Sequence, residues 1–463
     1  MTTLEDRIAR LEALVERQAA IIEQQQRTIE RQEKTIAELE RRLAEREGKP
    51  PNEGRGGTPP PRAPSGRAPG GQPGHKGAKR DLLPPEKVTR VVDCFPSACR
   101  GCGAKLSKTA DAAPHVHQVV DIPPIEPDVT EFRRHRVTCA CGVTTCGALP
   151  VGTPAGMMGP RLLAFVAILA ANCHVSRRKV QGLLRDVLGV RVSLGALSES
   201  EEVVADAVEA PVEEARQSAM AAAVKHADGT TWYQQHAFRS LWVLATKGVT
   251  VFGLFDSASA AALKKWMGTT GILVSDRGSQ LHFWDVQRRQ LCWAHLIRKF
   301  AWYGEQPGDV GQLGRALIGL AQRVLHEWHR ARDGCISRTT FARNIRATRD
   351  TIEFLLRAGT RHDAIAGSCA NILEHQPALW RFVTEEGVEP TNNHAEQELR
   401  GFVLWRKSSL GSQSARGDRF AANLKSVVHT CRKQQRHVLN YLVAAIQAAF
   451  SKASAPSLLA ATP

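Results

Sequence analysis

The chain has 463 residues, 43% of them hydrophobic, which is enough for several globular domains. Lysine and arginine total 62 against 46 acidic residues, so the formal net charge is +16 and a polyanionic partner such as nucleic acid is favoured. No apolar run reaches the roughly 18 residues of a membrane span, and the charged start MTTLEDRIARLE lacks the apolar core of a signal peptide, so we expect a cytoplasmic protein without membrane contact.

Residues 4–43 carry a heptad repeat with two seams. The first seam consists of Ile8, Val15, Ile22, Ile29, Ile36 and Leu43. The second seam consists of Leu4, Leu11, Gln18, Gln25, Gln32 and Leu39. β-Branched residues at one seam with leucine at the other favour a parallel two-stranded coiled coil. We therefore predict a coiled coil over residues 1–47 and self-association through it, with a single solvated helix as the alternative.

Residues 48–87 are rich in glycine, proline and arginine through Arg80 and contain almost nothing able to form a core. Such a composition predicts a flexible basic linker. Its last basic part reads GGQPGHKGAKR, from Gly70 to Arg80. Wrapping along a phosphate backbone and a passive linker remain the two alternatives for this segment.

Cysteine pairs and alternating β-type sequence occupy residues 88–152. A C-x-x-C turn precedes Gly103 and a C-x-C turn precedes Gly142. Two such knuckles supply four thiolates, the usual ligands of structural zinc. The predicted Zn²⁺ ligands are Cys99, Cys102, Cys139 and Cys141. Further candidates are Cys94, Cys146, His115, His117 and His135. We predict a small β zinc-binding domain, with Cys146 as an alternative ligand and reduced, unliganded cysteines as the competing interpretation.

Three helices are predicted within residues 153–220. The second begins after a Ser176 cap and ends near Gly189, and Ser193 caps the third. Two helices joined by a short turn suggest a helix-turn-helix DNA-binding domain, and a purely structural helical layer is the alternative. The predicted phosphate contacts on the second helix are Arg177, Arg178 and Lys179. Acidic residues on the third helix argue against its lying in a major groove.

The region that carries the chemistry begins near residue 221, where strands alternate with a helix. Asp228 and Asp276 each follow an apolar strand, and strand ends meet at the cleft of an α/β sheet. Glu396 lies in TNNHAEQELR, where Thr391 or Asn392 can cap a helix. Three carboxylates from separate segments can hold two Mg²⁺ ions about 3.5–4 Å apart for phosphoryl transfer on DNA. Each acid alone is weak evidence, because an aspartate at a strand end is usually a turn residue.

A strongly basic stretch runs from Arg400 to Arg436, with nine basic residues and one acid, Asp418. Phe402, Trp405 and Phe420 are interleaved with these charges, a composition that suits a surface binding a DNA strand. The predicted DNA contacts here are Arg400, Arg406, Lys407, Arg416 and Arg419.

In this order the segments resemble bacterial transposases of the insertion sequence 66 family, which are DDE enzymes with a ribonuclease-H-like catalytic core. The resemblance covers nearly the whole chain, from the heptad repeat and GGQPGHKG through the cysteine knuckles and HADGT to the strand ending at Asp276. The most specific pieces are CWAHLIRKF, from Cys292, and TNNHAEQELR, from Thr391. The sequence departs from the family at Gly229, where a second acid is usual, at Arg277-Gly278 and at Gln397.

The resemblance implies that Asp228, Asp276 and Glu396 form the catalytic triad and hold Mg²⁺ or Mn²⁺. It implies cleavage at element ends and strand transfer into target DNA, with accessory proteins of the same element as further candidate partners and a nucleoid location. It also implies a helical insertion over residues 305–385. A non-catalytic DNA-binding protein and a metal-dependent nuclease without strand transfer are the alternative functions.

The expected fold is therefore a multidomain α/β protein with a ribonuclease-H-like core. The predicted divisions are a coiled coil (1–47), a basic linker (48–87), a zinc-binding domain (88–152), a helical domain (153–220), the catalytic core (221–304 and 386–450), a helical insertion (305–385) and a tail (451–463). Cys292 and His295 of CWAH are either packing groups near the cleft or half of a metal site. His394 is either a DNA or metal contact or a solvated side chain.

Overall fold

The computed structural model describes residues 81–235, 237–409 and 411–459, together with the isolated positions Gln26, Glu30 and Glu33, which are helical and exposed. The chain divides into two compact units, Met1–Pro59 and Pro60–Pro463, and the second contains the central sheet. Apart from those three positions, the predicted coiled coil lies outside the described residues, as does the predicted linker up to residue 80.

The second unit is a mixed α/β structure, as expected. Its strands are β1 (Arg136–Thr138), β2 (Thr144–Cys146), β3 (Val224–Gln234), β4 (Ala237–Ala245), β5 (Thr250–Phe255), β6 (Ile272–Ser275) and β7 (Arg289–Leu291). The helices before the last strand are α1 (Pro160–Ala167), α2 (Arg177–Leu188), α3 (Leu194–Ala207), α4 (Glu209–Ala221) and α5 (Ala260–Met267). The helices after it are α6 (Trp293–Gly304), α7 (Gly308–Arg332), α8 (Arg338–Gly359), α9 (Ala366–Glu374), α10 (Arg381–Thr384), α11 (Asn393–Ser409), α12 (Ala415–Lys433) and α13 (Val438–Phe450).

A five-stranded sheet with the order β5-β4-β3-β6-β7 forms the centre of the unit. Strand β4 is antiparallel to both β3 and β5, whereas β6 is parallel to β3 and β7 is parallel to β6. The connection from β5 to β6 contains helix α5 and crosses over to the other side of β3, where β6 adds as a parallel strand. This order places β3 and β6, the strands that lead to the first two acids, side by side.

The two faces of the sheet are covered by different helices. In β4 the side chains alternate: Leu241 and Val243 belong to a core with α11, and Trp242 and Leu244 belong to a core with α4 and α5. In β3, Trp232 lies on the α11 face. Because side chains on a strand alternate with a period of two, Asp228 shares that face with Trp232.

Of the helices before the sheet, α2 and α3 begin and end close to the predicted residues, whereas α4 was not predicted. Helix α2 starts after Ser176 and ends at Gly189, whose φ of +65° suits glycine. The Ser193 hydroxyl accepts a hydrogen bond from the Ala196 backbone N–H and caps α3. The second part of the first predicted helix, Ile168–Asn172, is a π-helical turn. No helix within the described part of the chain is long and apolar enough to cross a membrane.

Helices α7 to α10 occupy the segment that the resemblance assigns to an insertion. They share one hydrophobic core with the sheet edge, because Val274 of β6 and Leu291 of β7 pack in the same cluster as Leu317 of α7, Ile345 of α8 and Cys369 of α9. The inserted helices are therefore in direct apolar contact with the strand that leads to Asp276. This contact allows the insertion to form one wall of the cleft.

The cysteine-bearing segment contains less β structure than its sequence pattern predicts. Among residues 81–159 the structure has one two-stranded ladder, β1 with β2, besides an isolated bridge between Ala98 and Lys105. The alternating sequence VTRVVD at residues 88–93, which is typical of a strand, forms no ladder in the structure, and Val91 and Val92 are exposed. Alternating sequence indicates a strand only where one face is buried, and here no apolar core covers these valines.

Candidate active site

Asp228 and Asp276 lie at matching positions of neighbouring parallel strands. Strand β3 pairs with β6 in the register His226↔Val274. Continuing that register by two residues places Asp228 opposite Asp276. Because neighbouring strands are about 4.8 Å apart and equivalent positions point to the same face, the two carboxylates share one side of the sheet.

The charge environment of Asp228 shows how close the acids are. Burial, together with the negative charges of Asp276 and Glu396, raises the pKa of Asp228 to about 8. A hydrogen bond from the Gly229 backbone N–H and the charge of Arg298 oppose this effect. A bound cation would therefore favour the ionised form of Asp228.

Glu396 comes to the same place from α11, one turn after the helix begins. Its Oε1 is 3.6 Å from His295 Nδ1, 3.9 Å from Arg298 Nη2 and 4.0 Å from the Cys292 sulfur. The side chain is one-third exposed, so it faces the cleft and not the core. The structure thus places Cys292 and His295 of CWAH next to the third acid. The sequence had left open whether these two residues pack near the cleft or form half of a metal site.

The ligand atoms of Cys292, His295 and Glu396 all lie within 4.8 Å of one another, and they form the only such group of histidine, cysteine or acidic residues in the described residues. Asp228, Asp276 and Glu396 consequently do not all lie within that distance. A two-ion site does not require this, because its ions stand about 3.5–4 Å apart and the outer ligands are spread over both. Burial raises the pKa of the Cys292 thiol to about 11.

Asn392 connects the elements that carry the first and third acids. It is fully buried, and its side-chain Nδ2 donates to the carbonyl of Ala227 (2.8 Å). Its Oδ1 accepts from His226 Nδ1 (3.3 Å), and its backbone N–H donates to the Cys292 sulfur (3.1 Å). Its carbonyl accepts from Glu396 N–H, the first hydrogen bond of α11. Asn392 therefore stands at the helix start as predicted, but its side chain holds β3 instead of capping the helix.

Behind Glu396 a charged layer attaches α11 to α12. Glu398 pairs with Lys433 (3.0 Å) and with His429, and Lys433 Nζ also donates to His394 Nε2 (2.6 Å). Burial alone raises the pKa of Glu398, but His429 and Lys433 together lower it to about 2. His394 stacks on the ring of His226, with centroids 4.9 Å apart. His394 is thus part of the support of the site, one of the roles that sequence analysis missed.

The loop after Asp276 is held by two buried arginines. Arg289 Nη2 donates to the Asp276 carbonyl (2.7 Å) and Arg289 Nε to the Ser275 hydroxyl (3.1 Å). Arg277 Nη1 donates to Asn371 Oδ1 of α9 (3.2 Å), which joins the second acid to the inserted helices. Arg277, where this sequence departs from the family pattern, therefore has a hydrogen-bond partner on α9 in this chain.

Gly229, the other departure, lies opposite Trp242 on β4. A Cβ atom at position 229 would stand 2.6 Å from Trp242 Cε2, closer than real contacts allow. The indole occupies the space that a side chain after the first acid would need. An acidic residue here would therefore require Trp242 to move.

The eight predicted DNA contacts divide into two groups. Arg177 binds Glu201 (2.8 Å), Arg416 binds Ser198 (2.7 Å) and Glu202 (3.2 Å), and Arg419 binds Asp206 (2.6 Å) and Glu209 (2.9 Å). Arg406 donates to Thr230 and Thr231 of β3. The exposed remainder consists of Arg178, Lys179, Arg400 and Lys407. The first group stabilises contacts within the chain, mostly between α12 and the acidic helix α3.

The aromatic residues that alternate with these charges are not a surface for stacking bases. Phe402 and Phe420 are buried, and Trp405 packs against Trp232. Their interpretation as strand-binding residues is wrong, because α11 and α12 cover the sheet and direct these rings into its core. Nothing in the spacing of single aromatic residues reveals which face of a helix is buried by a distant sheet.

Both cysteine knuckles have the same local geometry. Cys99 N–H donates to the Ala104 carbonyl and Cys139 N–H to the Val143 carbonyl, and the turns pass through Gly103 (φ +74°) and Gly142 (φ +86°). Backbone N–H groups following each first cysteine lower the pKa of Cys99 and of Cys139. Among the described residues the four sulfurs do not form one cluster within 4.8 Å. The structure thus shows two cysteine turns of the same backbone geometry.

The fold and the site together define a protein with a mixed α/β core and three acidic residues at one cleft of that core. Two cysteine turns precede this core in the chain. Comparison with protein families gives two matches. The family described as "Transposase IS66 family" matches residues 155–419, more than half of the chain, and includes all three acids. The family described as "zinc-finger binding domain of transposase IS66" matches residues 96–142. A comparison with curated proteins found no match.

The chain therefore belongs to the IS66 transposase family. The resemblance noted in the sequence is confirmed, and membership makes the chain a transposase with a zinc-finger segment. The zinc-finger match includes the four cysteines of the two knuckles, whereas Cys94 and Cys146 lie outside it.

Proposed function

We propose that this transposase cleaves DNA at element ends and joins the freed ends to target DNA, using Asp228, Asp276 and Glu396 as the ligands of catalytic metal ions. The observation that carries this proposal is the register of β3 and β6, which sets the two aspartates side by side. Glu396 interacts electrostatically with Asp228 from α11 on the same face. Acids that approach in this way repel one another, and a bound cation would compensate that repulsion.

The sheet supports a ribonuclease-H-like core. Three antiparallel strands come first, and two further strands follow on the other side of β3, parallel to it. In this interpretation the first acid lies within the first strand of the sheet, the second directly after the fourth strand, and the third on a later helix. The helices α7 to α10 then interrupt the core between its last strand and the helix of Glu396.

The three carboxylates fit Mg²⁺ or Mn²⁺, because hard cations prefer oxygen ligands and a bound cation would favour the ionised form of Asp228, which burial disfavours. When bound, the ions would activate a water molecule or a 3′-hydroxyl and stabilise the leaving oxygen. The protein residues have other tasks. Asn392 holds β3 and α11 together, Arg289 holds the Asp276 loop, and Arg298 offers a positive charge at the mouth of the cleft.

Zinc binding by the four knuckle cysteines is proposed as a separate, structural function. The two pairs would have to approach each other to form one tetrahedral site. For DNA contact we retain the exposed Arg178, Lys179, Arg400 and Lys407, since the other predicted residues already have partners inside the chain. Self-association through residues 1–47, and use of accessory proteins of the element, stay predictions.

Cleavage is tested on duplexes that contain the DNA flanking the coding sequence, incubated with and without added Mg²⁺. The wild-type chain is expected to cut at one position of each end and to join the 3′ end to a second duplex. Asp228→Asn, Asp276→Asn and Glu396→Gln should each abolish both steps and preserve DNA binding. Asp350→Asn, an exposed aspartate on α8, is the matched control and should behave as wild type.

The alternatives give different results in the same assay. A non-catalytic DNA-binding protein would bind both ends and leave them intact at every Mg²⁺ concentration. A nuclease would cut the duplexes without producing joined products. Full cleavage by any one of the three carboxylate variants would refute the assignment of that residue.

A further inference from the structure

A cavity of about 520 Å³ lies beside the acid cleft, between α6, α7 and the start of α11. This volume falls within the roughly 300–1,000 Å³ typical of sites for small organic groups. Its walls include apolar side chains such as Ile297 and Leu325. One wall is therefore supplied by α7, which belongs to the helices that interrupt the core.

The cavity presents one large aromatic ring with positive charge around it. Trp328 is half-buried in the wall, and the guanidinium carbon of Arg332 lies 5.2 Å from the centre of its ring. Arg332 keeps an ion pair with Asp333 (2.8 Å) on its other side. His329 also lines the cavity and its ring is 5.2 Å from that of Trp328. An aromatic face with flanking cations is the arrangement on which nucleic-acid bases stack.

The cavity is continuous with the proposed site through Arg298. This arginine lines the cavity and is also 3.9 Å from Glu396 Oε1. A phosphate held between Arg298 and the acids would therefore have its attached nucleoside next to the cavity mouth. Glu389 also lines the cavity, where its charge acts on Arg332, and its carboxylate can accept the N–H groups of a base.

We propose that this cavity takes one unstacked nucleobase of the DNA, at the nucleotide adjoining the phosphate that is cut, with Trp328 as the stacking platform and Arg332 and Arg298 as its charged rim. The inference rests on the proposed function, because it places the scissile phosphate at the three acids. A base removed from the helix leaves the backbone free to bend toward the carboxylates, at a cost that stacking on the protein offsets.

The pocket is tested without cleavage, using the full chain and a ten-nucleotide thymidine strand with one central 2-aminopurine, without added Mg²⁺. Stacking on the indole should quench the 2-aminopurine fluorescence. Trp328→Ala should remove most of this quenching and weaken binding ~10-fold, in line with the contribution of one base–aromatic stack. Trp328→Phe should restore affinity to within ~3-fold of wild type, because phenylalanine retains an aromatic face.

Arg332→Ala and Arg330→Ala form a matched pair on one turn of α7. Arg330 is similarly exposed and pairs with Glu327, but it does not line the cavity. Arg332→Ala should weaken binding about threefold, as loss of a cation over an aromatic face predicts, and Arg330→Ala should leave it unchanged. This exposed pair also serves if Trp328→Ala lowers the thermal stability of the chain.

The proposed base-binding role of the cavity would be refuted if Trp328→Ala quenched 2-aminopurine as wild type does. It would also be refuted if Arg332→Ala and Arg330→Ala lost equal affinity for the strand. The proposal is separable from the cleavage reaction. Trp328-dependent quenching in a protein that never cuts element DNA would support the pocket and refute the proposed catalysis. Normal cleavage without that quenching would refute the pocket alone.

Discussion

Replacing Asp228 by asparagine removes a charge and preserves the shape of the side chain, including an acceptor for the Gly229 N–H. In the wild-type chain, burial and the charge of Asp276 raise the pKa of Asp228 from its ordinary value of 3.8 to about 8. The folded protein therefore holds a proton that the unfolded chain releases between these two values. Stability must fall as the pH rises from about 4 to about 8, because the folded state binds more protons there.

The size of the effect follows from the same two values. A difference between 3.8 and about 8 corresponds to at most ~6 kcal/mol, at about 1.36 kcal/mol per pH unit. Asp228 is partly exposed at the cleft, so solvent reduces the penalty and we expect ~2–3 kcal/mol at pH 8. Asp228→Asn should therefore be more stable than wild type at pH 8 without Mg²⁺, with a melting temperature about 3–5 °C higher.

The assay is thermal unfolding from pH 5 to pH 8, with and without Mg²⁺. The advantage of Asp228→Asn should grow with pH in the absence of Mg²⁺. Added Mg²⁺ should raise the stability of wild type, by ~2.7 kcal/mol at one hundred times its dissociation constant, and reduce the difference. Asp350→Asn is the control and should show neither trend, since it is exposed on α8.

A difference that stays constant between pH 5 and pH 8 would show that Asp228 is already ionised without metal. A wild-type chain that gains no stability from Mg²⁺, while Asp228→Asn behaves identically, would refute the view that these carboxylates await a cation.

Three further predictions concern the surroundings of the site. Asn392→Ala should cost ~2–3 kcal/mol in denaturant unfolding, because it leaves the buried carbonyl of Ala227 without its donor; a loss below measurement error would contradict its connecting role. Gly229→Ala should cost ~1–3 kcal/mol, because its Cβ meets the Trp242 ring, and a neutral outcome would show that the ring can move. Cys99→Ser should lower the zinc content in metal analysis whereas Cys146→Ser should not; equal zinc losses would place Cys146 among the ligands.

Local signals in the sequence determined much of the secondary structure. The helix starts after Ser176 and Ser193 and the stop at Gly189 are where the sequence predicts them, although only the Ser193 side chain makes a capping hydrogen bond. The strand before Asp276 was also predictable, since short apolar runs bounded by turns are typical of buried strands. Such signals depend only on residues a few positions apart in the sequence. They can therefore be recognised without knowledge of the tertiary structure. The expectation that Asp228 ends its strand was wrong, because β3 continues to Gln234 through its pairing with β4.

Long-range contacts decided which basic residues are available. Arg416 and Arg419 have the spacing of a DNA-binding helix, yet they pair with acids about 210 residues earlier in the chain. The sequence showed that the acidic residues of α3 make it unsuitable for a major groove. It did not show that Arg416 and Arg419 are the partners of these acids. An ion pair between distant segments depends on how two helices pack, and charge spacing along one helix does not contain that information.

The order of the three acids and the motifs around Cys292 and Glu396 were sufficient to suggest the family, which the comparisons confirm. Only the tertiary structure decided that Asp228 and Asp276 lie side by side on one face of the sheet. A shift of one residue between β3 and β6 would turn one carboxylate to the opposite face. It also revealed Asn392 as the residue that links β3 to the helix of Glu396. Register and buried hydrogen bonds are properties of paired segments, and they exist only once the chain has folded.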